Sequence, residues 1–322
     1  MKILQLLILQ VLCFCVPSWG QQNYPNKVVH LVVPYAAGGY YDSIARVLSP
    51  RLVEMLGQTF VVENKVGGSG IIGTDYVAKS TPNGYTLIVG GIGPHSINPS
   101  LFPNLPYDPV RDFSPVVLVA TSPNILVVHP SSSYRSVKDI LNYANAKPGF
   151  LNYGSAGSGT SAHLAAVMFE LASGTKLNHI PYKGSGPAVL AMVGGETDLL
   201  FGTAADVLQQ IKAGKLIALA VTSSTRISAL GDIPTLSEAG VQNAVAAGWY
   251  GIFAPAGTAK EVVNLLNASI NKILLMPTVR DQLSVEGTAN LQGGSPEFLA
   301  SFLQAEITKW HEVIQKSGTK AN

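Results

Sequence analysis

The sequence predicts an α/β fold with two β–α series facing each other across a cleft. Three observations lead there. Short β-rich runs alternate with helical patterns for most of the chain, the mark of parallel-type sheets covered by helices. Two series open alike, at Val28 and near Leu151, each as strand, glycine-rich loop, helix. The 322 residues are 47% hydrophobic and 12% charged, enough for a large core divided between two domains.

The elements follow in order. Lys27 to Val33 is a strand, and Tyr41 to Leu56 a helix that Pro50 threatens to break, because its ring clashes with the i−4 carbonyl. Phe60 to Asn64 is a strand, Gly73 to Lys79 a helix and Tyr85 to Val89 a strand. Val116 to Ala120 and Ile125 to Val128 read as two strands, and Val137 to Ala146 as a helix. The second series runs strand Leu151 to Tyr153, helix Ser161 to Ser173, strand Leu177 to Ile180, helix Gly186 to Val193, strand Leu199 to Phe201, helix Ala204 to Ala213 and strand Ile217 to Thr222. Late helices cover Ala259 to Leu275 and Pro296 to Ser317. Crossings between domains fall near Ala120 to Asn124 and Ala244 to Trp249. Ligands of open α/β sheets bind at the carboxyl ends of strands, so two such sheets frame a cleft.

The first twenty residues stand apart. Lys2 is a basic start, Ile3 to Val16 a short apolar run, and Pro17-Ser18-Trp19-Gly20 places small residues for a cut after Gly20. This is the pattern of a cleaved secretory signal, with a retained anchor as the alternative. Cys13 and Cys15 lie inside it, after Leu12 and Phe14, so neither is a lipid-acceptor cysteine. A chain cut there has no cysteine, and an exported protein without disulfides relies on its core. Losing Lys2 from 21 basic residues leaves 20 against 19 acidic ones, a net charge of +1. No basic face tracks a nucleic-acid backbone.

The chemistry sits in loops. In "VVPYAAGGYYDSIAR", Gly38 and Gly39 let backbone approach a ligand, and the helix that follows offers free N–H groups to an anion. A tight turn that binds nothing is the plainer reading. Tyr40 and Tyr41 either wall a pocket or pack on the core, and Asp42 either accepts from a ligand ammonium or stabilises the helix start. "NYGSAGSGTSAHL" repeats the device through Gly154, Ser155, Gly157 and Thr160. It fits the looser dinucleotide pattern, but the next strand end, Asn178 to Tyr182, lacks the acidic residue that pattern needs. An anion cradle remains. His163, one turn on, either faces the cleft or is a satisfied core group. "HIPYKGSGPA" offers Tyr182, Lys183 and Gly184, the lysine serving an anion or solvent, and "FGTAAD" offers Gly202 and Thr203.

Catalytic signatures are missing from the sequence. Ser69, Ser155, Ser158 and Ser185 each lack a flanking glycine of the G-x-S-x-G elbow. There is no P-loop and no H-x-x-x-H pair among the six histidines. Backbone N–H and hydroxyl groups bind an anion but supply no nucleophile or tuned acid–base pair.

Several stretches, in order, match one family: "YPNKVVHLVVPYAAGGYYDSIAR", "VVENKVGGSGIIG", "PNGYTLIVG", "HSINPSLF", "LPYDPVRDFSPV", "YGSAGSGTSAHL", "IPYKGSGPAVLAMVGGETDLLF", "AGKLIALAVTSSTR" and "IPTLSEAG". Over essentially the whole chain after the signal, the sequence resembles the Bug family, extracytoplasmic solute receptors of tripartite tricarboxylate transporters. The resemblance implies a type II periplasmic binding-protein fold: two α/β domains with parallel-type mixed sheets, two crossing segments and a ligand cleft between them. Expected boundaries are 1–20 for the signal, 21–122 and 248–322 for the first domain, and 123–247 for the second. It also implies a clamp on a ligand carboxylate, partly through ordered water. Carried over, the clamp comprises Tyr35, Ala36, Ala37, Gly38, Gly39, Tyr41 and Asp42 in the first loop, and Gly154, Ser155, Gly157 and Thr160 in the second. His163, the Tyr182-Lys183-Gly184 turn and Thr203 lie nearby. Where the family commonly has proline and a larger residue, this chain has Ala36 and Ala37.

The implied function is a periplasmic, monomeric binding protein without cofactor or metal. It would capture a small di- or tricarboxylate, acidic amino acid or aromatic carboxylate for the membrane permease subunits of a tripartite tricarboxylate transporter. A ligand sensor for a membrane regulator shares every sequence feature. A secreted hydrolase would need a dispersed acid pair that no motif gathers.

Overall fold

The computed structural model describes residues 24–284 and 290–320; the expected signal, residues 1–20, lies outside them. The first β–α series is β1 (Val29–Val33), α1 (Tyr40–Leu56), β2 (Phe60–Asn64), α2 (Ile71–Ala78) and β3 (Thr86–Gly91). β1 pairs in parallel with both β2 and β3. Its residues are almost wholly buried, as expected of a strand covered on both faces. α1 buries Ile44, Ala45, Leu48 and Leu52 and ends at Gly57, whose left-handed backbone returns its N–H to Val53 O.

A π-helical turn, Ile92–Ile97, leads to the short α3 (Asn98–Leu101). Then comes β4 (Phe113–Val128), a 16-residue strand shared by both lobes. Up to Pro123 it runs antiparallel to β9 (Ala247–Pro255); from Asn124 it pairs with β7 (Leu199–Thr203) and β8 (Ile217–Val221). The second lobe adds α4 (Val137–Ala146), β5 (Asn152–Ser155), α5 (Ser161–Ser173), β6 (Asn178–Pro181), α6 (Ser185–Val193) and α7 (Ala204–Lys212). After β9 the chain completes the first lobe with α8 (Lys260–Leu274), α9 (Pro277–Ser284), β10 (Asn290–Leu291) and α10 (Pro296–Ser317). The strand order is β2-β1-β3-β9-β4-β7-β5-β6, with β8 and β10 also on β4. This is the mixed, two-lobed α/β fold the sequence predicts.

Three expectations are corrected. Pro50 does not break α1, because it lies on the exposed face, as does Arg46, whose carbonyl it leaves without a helical donor. The two strands expected over 116–128 are one, despite Pro115 and Pro123. Register shifts beside Pro115 absorb the missing donor, and Pro123 stands where β4 changes partners. The region near Ala244 to Trp249 is not only a return; its second half, from Ala247, is the start of β9, a central strand.

Thr222 ties the two crossings together. Its hydroxyl accepts the N–H of Asn124 at 2.9 Å and donates to Ala246 O at 2.6 Å. The cores sit on either side of this join. One packs α1 and α8 on the first sheet through Leu31, Leu48 and Ile270; another packs α6 and α7 on the second through Met192, Leu200 and Val207. A third runs through both lobes and includes Phe169, Trp249, Phe253 and Trp310. Full burial of one such apolar side chain stabilises by about 1.5–3 kcal/mol.

Candidate functional site

The loops leaving the carboxyl ends of β1, β3, β5 and β7 converge between the lobes. They enclose a cavity of about 40 Å³. From the first lobe, Tyr35, Tyr41, Ile92, Gly93 and Tyr250 line it; from the second come Ala156, Thr160 to Ala162, Ser185, Thr203 and Asp206. Such a volume holds a water molecule or two, so the lobes stand closed and must part to admit a larger solute.

The closure is built from small residues. A Cβ on Gly184, whose φ is +129°, would lie 3.3 Å from Ala36 N in the opposite lobe. One on Gly157, at φ +124°, would lie 3.2 Å from Ser69 Oγ. Both backbone conformations disfavour side chains, and both glycines let the lobes meet main chain to main chain. Between these contacts Tyr40, the first residue of α1, donates its N–H to Asp206 Oδ1 at 2.8 Å. The helix start predicted as an anion seat is therefore engaged by a carboxylate of the protein itself.

Asp206 stands in the first turn of α7. It also accepts hydrogen bonds from the hydroxyls of Thr203 and Ser185. Burial pushes its pKa up, since those donors are neutral. The tyrosines form a contiguous wall: Tyr35 and Tyr41 have ring centroids 4.8 Å apart, and Tyr41 and Tyr250 4.7 Å apart, edge to face. Burial raises the pKa of all three phenols, which remain protonated donors.

At the other end lies the start of α5. Thr160 is its N-cap residue, and its hydroxyl turns back to Gly157 O at 2.8 Å. The N–H groups of Ser161 and Ala162, in the first turn, have no carbonyl four residues back within the helix. Both residues line the cavity, which places this helix start as an anion seat.

Behind that seat the second loop is supported from below. Ser155 Oγ lies 2.6 Å from His179 Nε2 and takes the Gly157 N–H at 3.1 Å. His163 Nδ1 accepts the Gly159 N–H at 2.9 Å. The two imidazoles stack at 4.1 Å, with Tyr153 against His179. Burial pushes His163 down to about 3, helped by its histidine neighbour, and His179 down to about 4, so both are neutral at ordinary pH.

Of the residues expected in the clamp, Tyr35, Tyr41, Thr160 and Thr203 line the cavity. Ala36, Ala37, Gly38, Gly39, Gly157 and Gly184 lie along the closing edge. Gly154, Ser155 and His163 lie behind the second loop as its support. Asp42, Tyr182 and Lys183 belong to none of these groups. Asp42 is buried in the first lobe, accepting from Arg46 Nε, Asn64 Nδ2 and the Gly38 N–H. Burial alone would raise its pKa, but those bonds outweigh burial and hold it below the usual carboxylate range. Tyr182 directs its hydroxyl to Glu196, at 3.4 Å, and Lys183 is exposed.

Asp206, Ser185, Ser161, Tyr250 and the Ile92–Gly93 turn were not anticipated. "FGTAAD" and "KGSGPA" carried two of them, each looking like an ordinary helix start. Among the described residues no group of three His, Cys, Asp or Glu side chains is placed to hold a metal ion.

Two α/β lobes closed on a cavity lined by hydroxyls and phenols have the architecture of a solute-binding protein of the periplasmic type. The chain belongs to the TctC family, the tripartite tricarboxylate transporter family receptors, whose model matches residues 44–319. It is 36% identical over 299 residues to protein BugT of Bordetella pertussis, covering 92% of this chain and 91% of that one. Among solved structures, it is 36% identical to R. palustris Rpa4515 with adipate, with a TM-score of 0.89 over 93% of this chain and 100% of that one. It is 31% identical to MatC (Rpa3494) from Rhodopseudomonas palustris with bound malate, with a TM-score of 0.86 over 90% and 100%.

Proposed function

We propose that this chain is an extracytoplasmic receptor that closes on a small carboxylate and delivers it to the membrane permease of a tripartite tricarboxylate transporter. One observation carries the reading: the first turn of α5 opens into a cavity sealed by the opposite lobe, with Ser161 and Ala162 lining it. Family membership and the adipate and malate held by two structural neighbours support a carboxylate as the solute.

In this reading residues 21–122 and 248–322 form one domain and 123–247 the other, and the hinge lies where Thr222 joins Asn124 and Ala246. The carboxylate is taken by the α5 start and the hydroxyl of Ser161. The first loop, Tyr35 to Gly39, closes over it. Closure follows because the ligand touches both lobes only in the closed state and so favours that state. Residues 1–20 are an export signal cut after Gly20, and the receptor acts as a monomer.

The test is a thermal-shift screen of residues 21–322 against mono-, di- and tricarboxylates, with the compounds assayed afterwards for conversion. A ligand at about 100 times its dissociation constant stabilises by roughly 2.7 kcal/mol, raising the melting temperature by about 2–4 °C. A selective, unconverted hit supports the receptor. A flat screen contradicts the carboxylate reading, and conversion contradicts pure binding.

A further inference from the structure

We infer that the cavity takes a carboxylate that also carries a positively charged nitrogen, with Asp206 and the Tyr35–Tyr41–Tyr250 wall receiving the nitrogen. This rests on the carboxylate reading above and narrows its substrate class.

The cavity already contains one carboxylate, Asp206, and among the described residues no lysine, arginine or histidine lines it. Its partners are the Tyr40 N–H and two hydroxyls, all neutral. A dicarboxylate closed in beside it would put three carboxylates in one small space without a cation. Like charges so enclosed repel strongly, because little water remains to screen them. A carboxylate bearing an ammonium adds one charge of each sign and leaves the net charge of the filled site unchanged.

Geometry points the same way. The α1 start, one of two helix starts predicted to hold a ligand anion, is engaged by Asp206. That leaves the α5 start as the seat for a ligand carboxylate. An ionised carboxylate has about four acceptor positions. Three donors reach Asp206 from the protein, so one position remains for a donor on the ligand. The adjoining phenol rings supply what a cation binds next to a carboxylate, electron-rich faces in a desolvated site. Negative and aromatic groups at one end and free N–H groups at the other fit the two ends of a zwitterion.

Calorimetry with matched pairs tests this. The pairs are aspartate with succinate, phenylalanine with 3-phenylpropionate, and glycine betaine with its carbon isostere 3,3-dimethylbutanoate. In any pair that binds, the nitrogen-bearing member is expected to be tighter by about tenfold or more. Asp206→Asn is expected to bring that ratio toward one. Plain acids binding as tightly as their partners, or more tightly, would overturn the inference while leaving the carboxylate receptor intact. Binding by neither member of any pair, nor by any compound of the carboxylate screen, would remove both. The wild-type comparison stands alone should Asp206→Asn fail to fold.

Discussion

The backbone N–H of Tyr40 and the carboxylate of Asp206 meet across the cleft at 2.8 Å. One belongs to the first turn of α1 and the other to the first turn of α7, so this single bond joins the two jaws. Around it the jaws approach through glycine and alanine. Closure here depends on an absence of side chains as much as on contacts.

Gly39 is the sharpest test of that dependence. A Cβ there would fall well inside contact distance of Ser185 Oγ and 3.9 Å from Asp206 Oδ1. Its φ of −94° is open to any residue, so the backbone itself tolerates substitution. Gly39→Val is expected to melt near the wild-type temperature yet lose carboxylate affinity by about tenfold or more, because the branched side chain holds the jaws apart. Calorimetry beside a thermal melt measures both. Full affinity in the variant would show that closure does not bring these loops together.

Ser155 should behave in the opposite way. Its hydroxyl is spent on His179 and Gly157, within its own lobe. Ser155→Ala is therefore expected to cost about 1–3 kcal/mol of stability, the penalty for leaving a buried partner unsatisfied. Denaturant titration reads that loss. An affinity change without a stability change would place the hydroxyl on the ligand instead.

Thr222→Val removes a hydroxyl that serves both crossings. The Asn124 N–H and the Ala246 carbonyl then lose a buried partner, at a cost of about 1–3 kcal/mol. A domain-sized unit loses about 2–4 °C of melting temperature for each kcal/mol. An unchanged melting curve would mean that the crossings are held by their strand pairing alone.

Acid should destabilise the protein through three histidines. His95 is fully buried and stacks on Phe253 at 4.2 Å, and burial pushes its pKa to about 3. His163 and His179 are held at about 3 and about 4. In the unfolded chain each titrates near 6.5. Between those values the unfolded state binds protons that the folded state refuses, so stability falls as pH drops below about 6.5. Each histidine contributes about 1.4 kcal/mol per pH unit across its window. The fall ends near pH 4 for His179 and near pH 3 for the other two. Melting curves from pH 7 to pH 4 check the sign, and a flat profile over that range would contradict it.

Much of the architecture was legible in the sequence, because parallel strands and their covering helices leave separate signals. The run ahead of Pro34 and the glycines after it mark β1 and its loop without ambiguity, and the second series repeats the pattern. β9 was missed as a strand. Its two glycines weaken a β pattern, although a side chain there would crowd Thr203 at Gly248 and Leu299 and the Val117 carbonyl at Gly251. The turn Ile92–Ile97 reads as an irregular loop, because π-helical geometry has no periodicity a short segment can display.

The site was legible in its loops but not in its charge. Asp42 and Asp206 are both first-turn aspartates of helices that follow a β-strand loop. The sequence reading takes Asp42 into the clamp and passes over Asp206, although their positions in the helices are alike. What separates them is whether a cation comes near: Arg46, one turn on, neutralises Asp42, whereas Asp206 faces the opposite lobe. That difference is tertiary, and only the closed jaws reveal it.

The most direct test of the account is a crystal structure of the receptor with the tightest-binding carboxylate from the screen. The carboxylate is expected within hydrogen-bond reach, about 3 Å, of the Ser161 and Ala162 N–H groups, with Tyr35 and Tyr41 closed over it. A ligand seated away from the start of α5, or bound while the lobes stand apart, would contradict it.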